Sequence, residues 1–377
     1  MAEKETIIKN RSDKPDNILV KEYEIKTNCE KLERQMPNFL RGFFSYLKLN
    51  VLPLSRYAYL QDIRFFLNYL VNHTDLTQAE NIKDIKLDDF KIIEAVDINI
   101  FIDYCRQYEI ETESSVIVQS NSNTTLSRKK TSLSVMFKQL YRDGLLEKNI
   151  TDGFDPIRVK KAGEREIKAL EDDEVHAMLD AVTTGEGLTK KEHDFWKKTK
   201  YRDKAILVFF VTYGLRLSEL QQLNISSFNF SRGEFKIYRK RDKEAVMPLN
   251  MTTDKALHDY LEYERASYDV IEEGHQDALF LSVQGKRLTD RQIRTIVKKY
   301  TSIAMKVSRD GGYSPHKLRA TAATSLIGRG NSIYDVAALL DHEQVTTTQL
   351  YAQHRKNVKK ELVKGFEWEE SKEKETE

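Results

Sequence analysis

The sequence predicts a mainly α-helical protein with one small antiparallel sheet, divided into a helical first domain and a mixed α+β second domain. Three observations support this fold class. The chain has 377 residues, which is enough for two packed domains. Apolar residues recur at helical spacing through most of the chain. Strand character is found in two short runs around one charged turn in the second half.

Residues 1–30 are polar and mixed in charge, so we expect them to form a flexible N-terminal arm. The helical domain is predicted over residues 31–155. Within it, apolar residues at i, i+3, i+4 and i+7 begin at Leu40, and similar patterns begin at Leu60 and Leu133. Such spacing places apolar side chains on one face of a helix. We expect these faces to form the core of a small bundle.

A polar, serine-rich stretch at Glu109–Asn123 interrupts the bundle pattern and is predicted to be a loop. Residues 156–168 combine many charges with little periodicity, which is typical of an interdomain linker. The second domain is predicted over residues 169–367. Its two short strands are expected at Glu234–Tyr238 and Ala245–Leu249, with helices before and after them.

The charge is nearly balanced overall but uneven along the chain. The net charge is +2 and 32% of the residues are charged, and residues 368–377 form a charged tail. The window Leu126–Arg142 contains five basic residues and no acid. Basic surface of this kind suits local contacts with phosphate groups. The alternative interpretation of this window is a solvated helix face.

The two cysteines, Cys29 and Cys105, lie far apart in the sequence. We therefore expect neither a disulfide framework nor a metal cluster built from cysteine. No apolar run approaches the roughly 18 residues that a membrane span needs. No charged-then-apolar leader is found at the N-terminus. A reducing cytoplasm is the expected location.

Four strings in the second domain contain polar residues that suit one reaction. They read G-L-R-L-S-E-L, Y-R-K-R-D-K, S-P-H-K-L-R-A-T-A-A-T and L-L-D-H-E-Q-V-T-T-T-Q-L-Y. Arginine can bind two phosphate oxygens at once, histidine can move protons, and tyrosine can form a covalent bond to phosphorus. The candidate residues are Arg216, Lys240, His316, Arg319, His342 and Tyr351.

Each candidate has an ordinary structural explanation when it is considered alone. Lys240 could be a solvated turn residue, and Tyr351 could be a half-buried packing residue. A different chemistry is a zinc site formed by His316, His342 and His354, but the two nearby arginines would repel a cation. The order and spacing of all six residues favour chemistry on a phosphodiester.

The four strings resemble the active-site boxes of the tyrosine recombinases, the phage-integrase family, and within it the Xer type. The resemblance covers about residues 37–367, nearly the whole chain. It is greatest for the single-recombinase Xer proteins of Gram-positive bacteria, such as XerS. It implies a SAM-like core-binding domain at 31–155, and a catalytic domain at 169–367 that ends in a C-terminal exchange segment.

On this resemblance, the six candidate residues match the family's six active-site positions. Lys240 is preferred to Lys243 because it keeps the family's distance from the arginine box. Ala320 stands where the family often has histidine, and Asp341 stands where it usually has glycine. The predicted DNA-binding residues are Arg56, Arg128, Lys129, Lys130 and Lys243.

The resemblance also implies a mechanism. Tyr351 would attack the scissile phosphate and form a 3′-phosphotyrosyl intermediate. The two arginines would stabilise the phosphate oxygens, and the lysine would protonate the leaving 5′-oxygen. His316 would move the tyrosine proton, and His342 would hydrogen-bond the phosphate. Cationic side chains then take the part of a metal ion, so no metal, ATP or other cofactor is expected.

The resemblance implies a two-domain clamp around double-stranded DNA. It also implies that strand exchange passes through a Holliday junction, with a homotetramer bound to two recombination sites. No membrane segment is expected, and a helper protein is left open. Both chromosome-dimer resolution and mobile-element integration or excision fit the motifs. Two other classes also stay open, namely a type IB topoisomerase-like strand-passage enzyme and a non-catalytic DNA-binding regulator.

Overall fold

The computed structural model describes residues 14–160, 167–239, 243–342 and 345–353. The chain divides into two compact units, Met1–Lys160 and Lys161–Glu377. The division falls within residues 156–168, the segment that the sequence predicts as a linker. Each unit has a hydrophobic core of its own.

The N-terminal unit contains six α-helices and one two-stranded sheet among its described residues. In chain order these are α1 (Asp16–Arg34), α2 (Arg41–Asn50), α3 (Pro53–His73), α4 (Leu87–Lys91), α5 (Ala95–Tyr104), β1 (Gln107–Glu111), β2 (Val116–Ser120) and α6 (Asn123–Arg142). The helix faces predicted from apolar spacing are confirmed. The patterns that begin at Leu40, Leu60 and Leu133 all lie in the core, where α3 and α2 pack against α6.

Helix α1 corrects the prediction of a flexible arm over residues 1–30. The chain is helical from Asp16, and α1 buries Ile18, Leu19, Cys29 and Leu32 as it packs against α3. The sequence did not reveal this helix because its polar residues outnumber the apolar ones. The helix is stabilised by the packing of its few apolar residues against α3, and this contact is not visible in the sequence. Residues 1–13 lie outside the described residues.

The hairpin of β1 and β2 corrects the prediction of a loop at Glu109–Asn123. The two strands pair antiparallel, with Glu109 opposite Val118. Nearly every side chain of this hairpin is exposed. Polar and apolar residues alternate in β1 but not in β2, and the prediction followed the polar, serine-rich composition of the whole segment. The described residues therefore contain two small sheets rather than the one predicted.

The C-terminal unit is mainly helical, with a three-stranded sheet inserted after its first three helices. Its described elements are α7 (Asp172–Thr184), α8 (Lys190–Tyr213), α9 (Leu217–Gln221), β3 (Phe228–Asn229), β4 (Glu234–Tyr238), β5 (Glu244–Pro248), α10 (Met251–Tyr263), α11 (Asp290–Ala304), α12 (Pro315–Gly328), α13 (Ile333–Leu340) and α14 (Val345–Gln353). The two predicted strands are confirmed as β4 and β5, and β3 is added at the edge next to β4.

Helix α8 is the centre of this unit. Its second half, from Ala205 to Phe210, is buried on all sides, and α7, α10 and α12 pack around it. In the sheet, β4 and β5 pair antiparallel from Glu234 opposite Pro248 to Tyr238 opposite Glu244. Of the helices that the structure describes, each is too short or too polar to cross a lipid bilayer.

Candidate active site

The site begins where α8 ends. Gly214 adopts a left-handed conformation with φ of 57°, and a Cβ atom there would lie 2.6 Å from Cδ2 of Leu340. The left-handed backbone and the lack of space for a Cβ atom both require glycine at this position. The turn places Arg216 at the N-terminus of α9. There the guanidinium of Arg216 donates to Oε1 of Glu219 at 2.6 Å and to the backbone oxygen of Asp341 at 2.9 Å.

Arg319 reaches the same turn from α12. This helix starts at Pro315, a residue favoured in the first helical turn because it needs no hydrogen-bond acceptor there. Arg319 is 5% exposed, and its guanidinium donates to the backbone oxygens of Gly214, at 2.7 Å, and Leu340. Burial, and then the charge of Arg216, lower the pKa of Arg319 to about 10, which leaves it charged near neutral pH.

Glu219 joins the two arginines. Its carboxylate contacts Nη1 of Arg216, and Oε2 lies 4.0 Å from Nη1 of Arg319. Oε2 also accepts from the backbone N–H of Arg216 at 2.7 Å. A single buried carboxylate thus fixes both guanidinium groups, and it leaves the pair with a net positive charge that suits a phosphate.

The two histidines of the site are held in the neutral form. His316 is exposed in the first turn of α12, and its pKa is lowered by partial desolvation and then by Lys317 and Arg319. Desolvation, followed by Arg319 and Arg216, lowers the pKa of His342 to about 4. Nδ1 of His342 lies 2.8 Å from the hydroxyl of Thr348. Neutral imidazoles beside two arginines can accept a proton or a hydrogen bond.

Tyr351 lies on α14, beside His342. The two rings stack with centroids 6.0 Å apart and planes at 29°. Tyr351 is only 7% exposed and packs in a small apolar cluster with Ala320, Ile327 and Leu340. Burial raises the pKa of its hydroxyl, and the charge of Arg319 acts in the opposite direction. The phenol therefore needs a proton acceptor before it can act as a nucleophile near neutral pH.

Five of the six residues singled out in the sequence are thus placed around one site. The sixth, Lys240, lies outside the described residues. Its described neighbours in the β4–β5 connection, Arg239 and Lys243, both approach the carboxylate of Asp341, at 4.0 Å and 3.7 Å.

The predicted DNA-binding residues of the N-terminal unit are more buried than expected. Arg56 is 4% exposed and pairs with Glu33. On α6, Lys129 is buried over the ring of Phe65. The two neighbours of Lys129 are more accessible: Arg128 pairs with the buried Asp62 while almost half of its side chain stays exposed, and Lys130 donates to the backbone oxygen of Asp155. Arg56 and Lys129 therefore do not form part of an exposed basic surface.

Three residues of this site were not assigned to it from the sequence, namely Glu219, Arg239 and Asp341, of which Asp341 was noted only as a departure from the family's usual glycine. Glu219 could have been found, because it follows Arg216 by three residues at a helix start, a spacing that brings the two side chains together. Arg239 and Asp341 are the neighbours of the predicted Lys240 and His342 in the sequence, but their approach to each other depends on how the residues after α13 pack against the β4–β5 connection. Among the described residues, no group of three or more His, Cys, Asp or Glu side chains could hold a metal ion; His354 lies outside them.

Comparison with known proteins adds independent information. The model of the phage integrase family matches residues 168–358. Tyrosine recombinase XerC of Thermodesulfovibrio yellowstonii is 31% identical over 245 residues, which cover 63% of this chain and 74% of the relative. XerC of Oceanobacillus iheyensis is 27% identical over 321 residues, covering 84% and 92% of the two chains.

Two solved structures share the fold. The site-specific recombinase XerH, bound to a palindromic difH substrate in a post-cleavage complex, has a TM-score of 0.57 at 18% identity, over 94% of this chain and 90% of XerH. A lambda integrase dimer bound to a COC' core site also has a TM-score of 0.57, at 14% identity, over 89% and 98% of the two chains.

Proposed function

The chain belongs to the phage integrase family of tyrosine recombinases, and on this premise we propose that Tyr351 is its nucleophile. The enzyme is a site-specific DNA recombinase of the Xer type, which cuts and rejoins DNA strands. The observation that supports our assignment of the site is the arrangement of Arg216 and Arg319 on one buried carboxylate, with Tyr351 and His342 stacked beside them.

In the proposed reaction, the Tyr351 oxygen attacks the scissile phosphorus and the bond to the 5′-oxygen breaks. Arg216 and Arg319 neutralise the charge that builds up on the two non-bridging oxygens. The leaving 5′-oxygen takes a proton, for which Lys240 is the proposed donor. The 3′-phosphotyrosyl bond conserves the energy of the phosphodiester, so a 5′-hydroxyl can reverse the step on the same or a second duplex.

The tyrosine proton goes to a neutral imidazole. We assign this role to His316, because it is exposed at the start of α12 and its lowered pKa keeps it unprotonated at neutral pH. His342 is assigned a hydrogen bond to the phosphate. Its ring already lies against Tyr351, and its Nδ1 is occupied by Thr348, so Nε2 is the atom left for the phosphate.

The proposed substrate is double-stranded DNA with a recombination site. XerH and lambda integrase, which share this fold, were solved on DNA sites of their own. We propose that four copies of this chain act on two sites and exchange strands through a Holliday junction, and that residues after Tyr351 link neighbouring copies. The proposed location is the cytoplasm, because the substrate is genomic DNA. The task is either chromosome-dimer resolution or movement of a mobile element.

Tyr351→Phe tests the assignment of the nucleophile. The variant should lose covalent capture of DNA while it keeps DNA binding, because the hydroxyl is the only group removed. The measurement uses a duplex nicked beside the cleavage position, which traps a protein–DNA adduct that a denaturing gel separates. Tyr334→Phe, which changes an exposed tyrosine of α13, is the matched control and should form the adduct normally.

An adduct formed by Tyr351→Phe would mean that another residue is the nucleophile. Binding without any adduct from the unmodified chain would favour a DNA-binding regulator instead. Relaxation of a supercoiled plasmid by a monomer, without exchange between two sites, would favour the topoisomerase-like alternative.

A further inference from the structure

Asp341 brings a carboxylate into the site where a phosphate is expected to bind. It is the residue after α13 and has a φ of 51°, in the left-handed region that glycine adopts most easily. Three cationic groups surround its side chain. The Asp341 carboxylate oxygens lie 3.5 Å from Nη1 of Arg216, 3.7 Å from Nζ of Lys243 and 4.0 Å from Nη1 of Arg239.

The carboxylate is not what holds these cations in place. Arg216 has shorter bonds to Glu219, at 2.6 Å, and to the backbone oxygen of Asp341, at 2.9 Å. Arg239 donates to the backbone oxygen of Leu339 at 2.6 Å. The side chain of Lys243 is 58% exposed, and the Asp341 carboxylate is its ion-pair partner among the described residues. Arg216 and Arg239 would therefore keep their positions if the side chain of Asp341 lost its charge.

Arg239 also has a hydrogen-bond donor that could bind an anion. Its side chain is 9% exposed, and its Nε is buried without an acceptor among the described residues. A buried donor without an acceptor is costly. A tetrahedral phosphate has more oxygens than a carboxylate. It could accept hydrogen bonds from Nε of Arg239 and from the guanidinium of Arg216 at the same time.

We propose that Asp341 sets the affinity of the site for DNA, because its carboxylate occupies the position among Arg216, Arg239 and Lys243 that phosphate oxygens take when DNA binds. The inference rests on the proposed function of this site. DNA must displace the carboxylate from the three cations. The loss of the interactions between Asp341 and these cations offsets part of the attraction between the cations and the phosphate. A residue with no charge at position 341 leaves the cations free for phosphate.

The test compares Asp341→Asn with the unmodified full-length chain. Asparagine keeps the size of the side chain and tolerates the left-handed conformation, so only the charge changes. We expect the duplex to bind about fivefold more tightly in low salt, because one unit of like-charge repulsion at a few ångströms is removed. Inorganic sulfate, used as a phosphate probe, should also raise the melting temperature of the variant more than that of the unmodified chain.

Asp335→Asn is the matched control. Asp335 is an exposed acid in the first turn of the same helix, so its removal changes the net charge equally without changing the cation cluster. Asp341→Gly is a second test variant, which suits the left-handed backbone and also removes the charge. The gain in affinity should be present in both Asp341 variants and absent from the control.

Unchanged or weaker binding of DNA and sulfate by both Asp341 variants, with melting temperatures no lower than that of the unmodified chain, would overturn the inference. An equal gain in the Asp335 control would do the same, because it would assign the effect to net charge. Adduct formation by the unmodified chain on the nicked duplex is measured in parallel. Its failure would contradict the proposed function, and its success beside unchanged Asp341 variants would contradict only this inference.

Discussion

At the scale of single residues, the geometry of the site depends on Glu219. It is 4% exposed, it binds both the backbone and the guanidinium of Arg216, and it lies within 4.0 Å of Arg319. The six matched residues were predicted from their order and spacing. Glu219 was not predicted with them, although its spacing of three residues from Arg216 brings the two side chains together, because the same spacing is also common in ordinary helix pairs.

Glu219→Gln should slow DNA cleavage by about a hundredfold at saturating DNA. The neutral amide weakens the interaction with both arginines, and small displacements of positioning groups have effects of that size. The rate of adduct formation on the nicked duplex measures it. Ser218→Ala, a change on the same turn of α9, is the control. A cleavage rate for Glu219→Gln within a fewfold of the unmodified rate would show that the arginines are positioned by their backbone contacts alone.

At the scale of elements, α3 and α6 are joined by a buried ionic cluster. Asp62 on α3 is 4% exposed and accepts from Ser132 at 2.9 Å and from Lys129 at 3.3 Å, as well as from Arg128. The basic window on α6 contains no acid of its own, so the sequence indicated a surface for DNA. The acid that it faces lies 66 residues earlier than Arg128, a distance at which pairing cannot be predicted without the fold.

Asp62→Asn should lower the free energy of unfolding by about 3 kcal/mol, because it leaves the buried Lys129 and the half-exposed Arg128 without their charged partner. Chemical denaturation of the full chain, followed by circular dichroism, measures the change. Asp103→Asn removes an exposed acid of α5 that pairs with the exposed Arg106, and it should change the stability much less. Equal effects of the two substitutions would mean that the buried cluster makes no special contribution to the stability of this unit.

The elements that sequence inspection misjudged share one physical property. Helix α1 has more polar than apolar residues, and the β1–β2 hairpin is exposed on nearly all of its side chains, so burial of an apolar face did not dominate the pattern of either element. The bundle faces at Leu40, Leu60 and Leu133 were predicted well because each is buried in the core. Sequence inspection therefore identified the helices with a continuous apolar face and missed a mainly polar helix and an exposed hairpin.

At the scale of the whole molecule, the chain has two units with separate cores, and the proposed reaction uses four copies of the chain on two DNA sites. The family relationship follows from the second unit, where the family model matches residues 168–358. The number of copies and the contacts among them depend on surfaces that no motif describes, so assembly could not be predicted from spacing.

Deleting residues 355–377 should abolish strand exchange between two sites while binding to a single duplex stays within about threefold. The reason is that this segment follows Tyr351, the proposed nucleophile, and is proposed to link neighbouring copies in a closed ring. Light scattering on two-site DNA measures assembly, and a gel assay measures exchange. A truncated chain that still forms tetramers and exchanges strands at the full rate would contradict the proposed role of the segment.

The two cysteines have a practical consequence for measuring that assembly. Cys29 and Cys105 are the only cysteines of the chain, and both are fully buried. Burial raises the pKa of Cys29 and raises that of Cys105 to about 12, so neither thiol is reactive in the folded protein. A cysteine introduced at the exposed Ser114, at the tip of the β1–β2 hairpin, would then take a fluorophore selectively. The distances between copies on DNA could be followed without replacing either native cysteine.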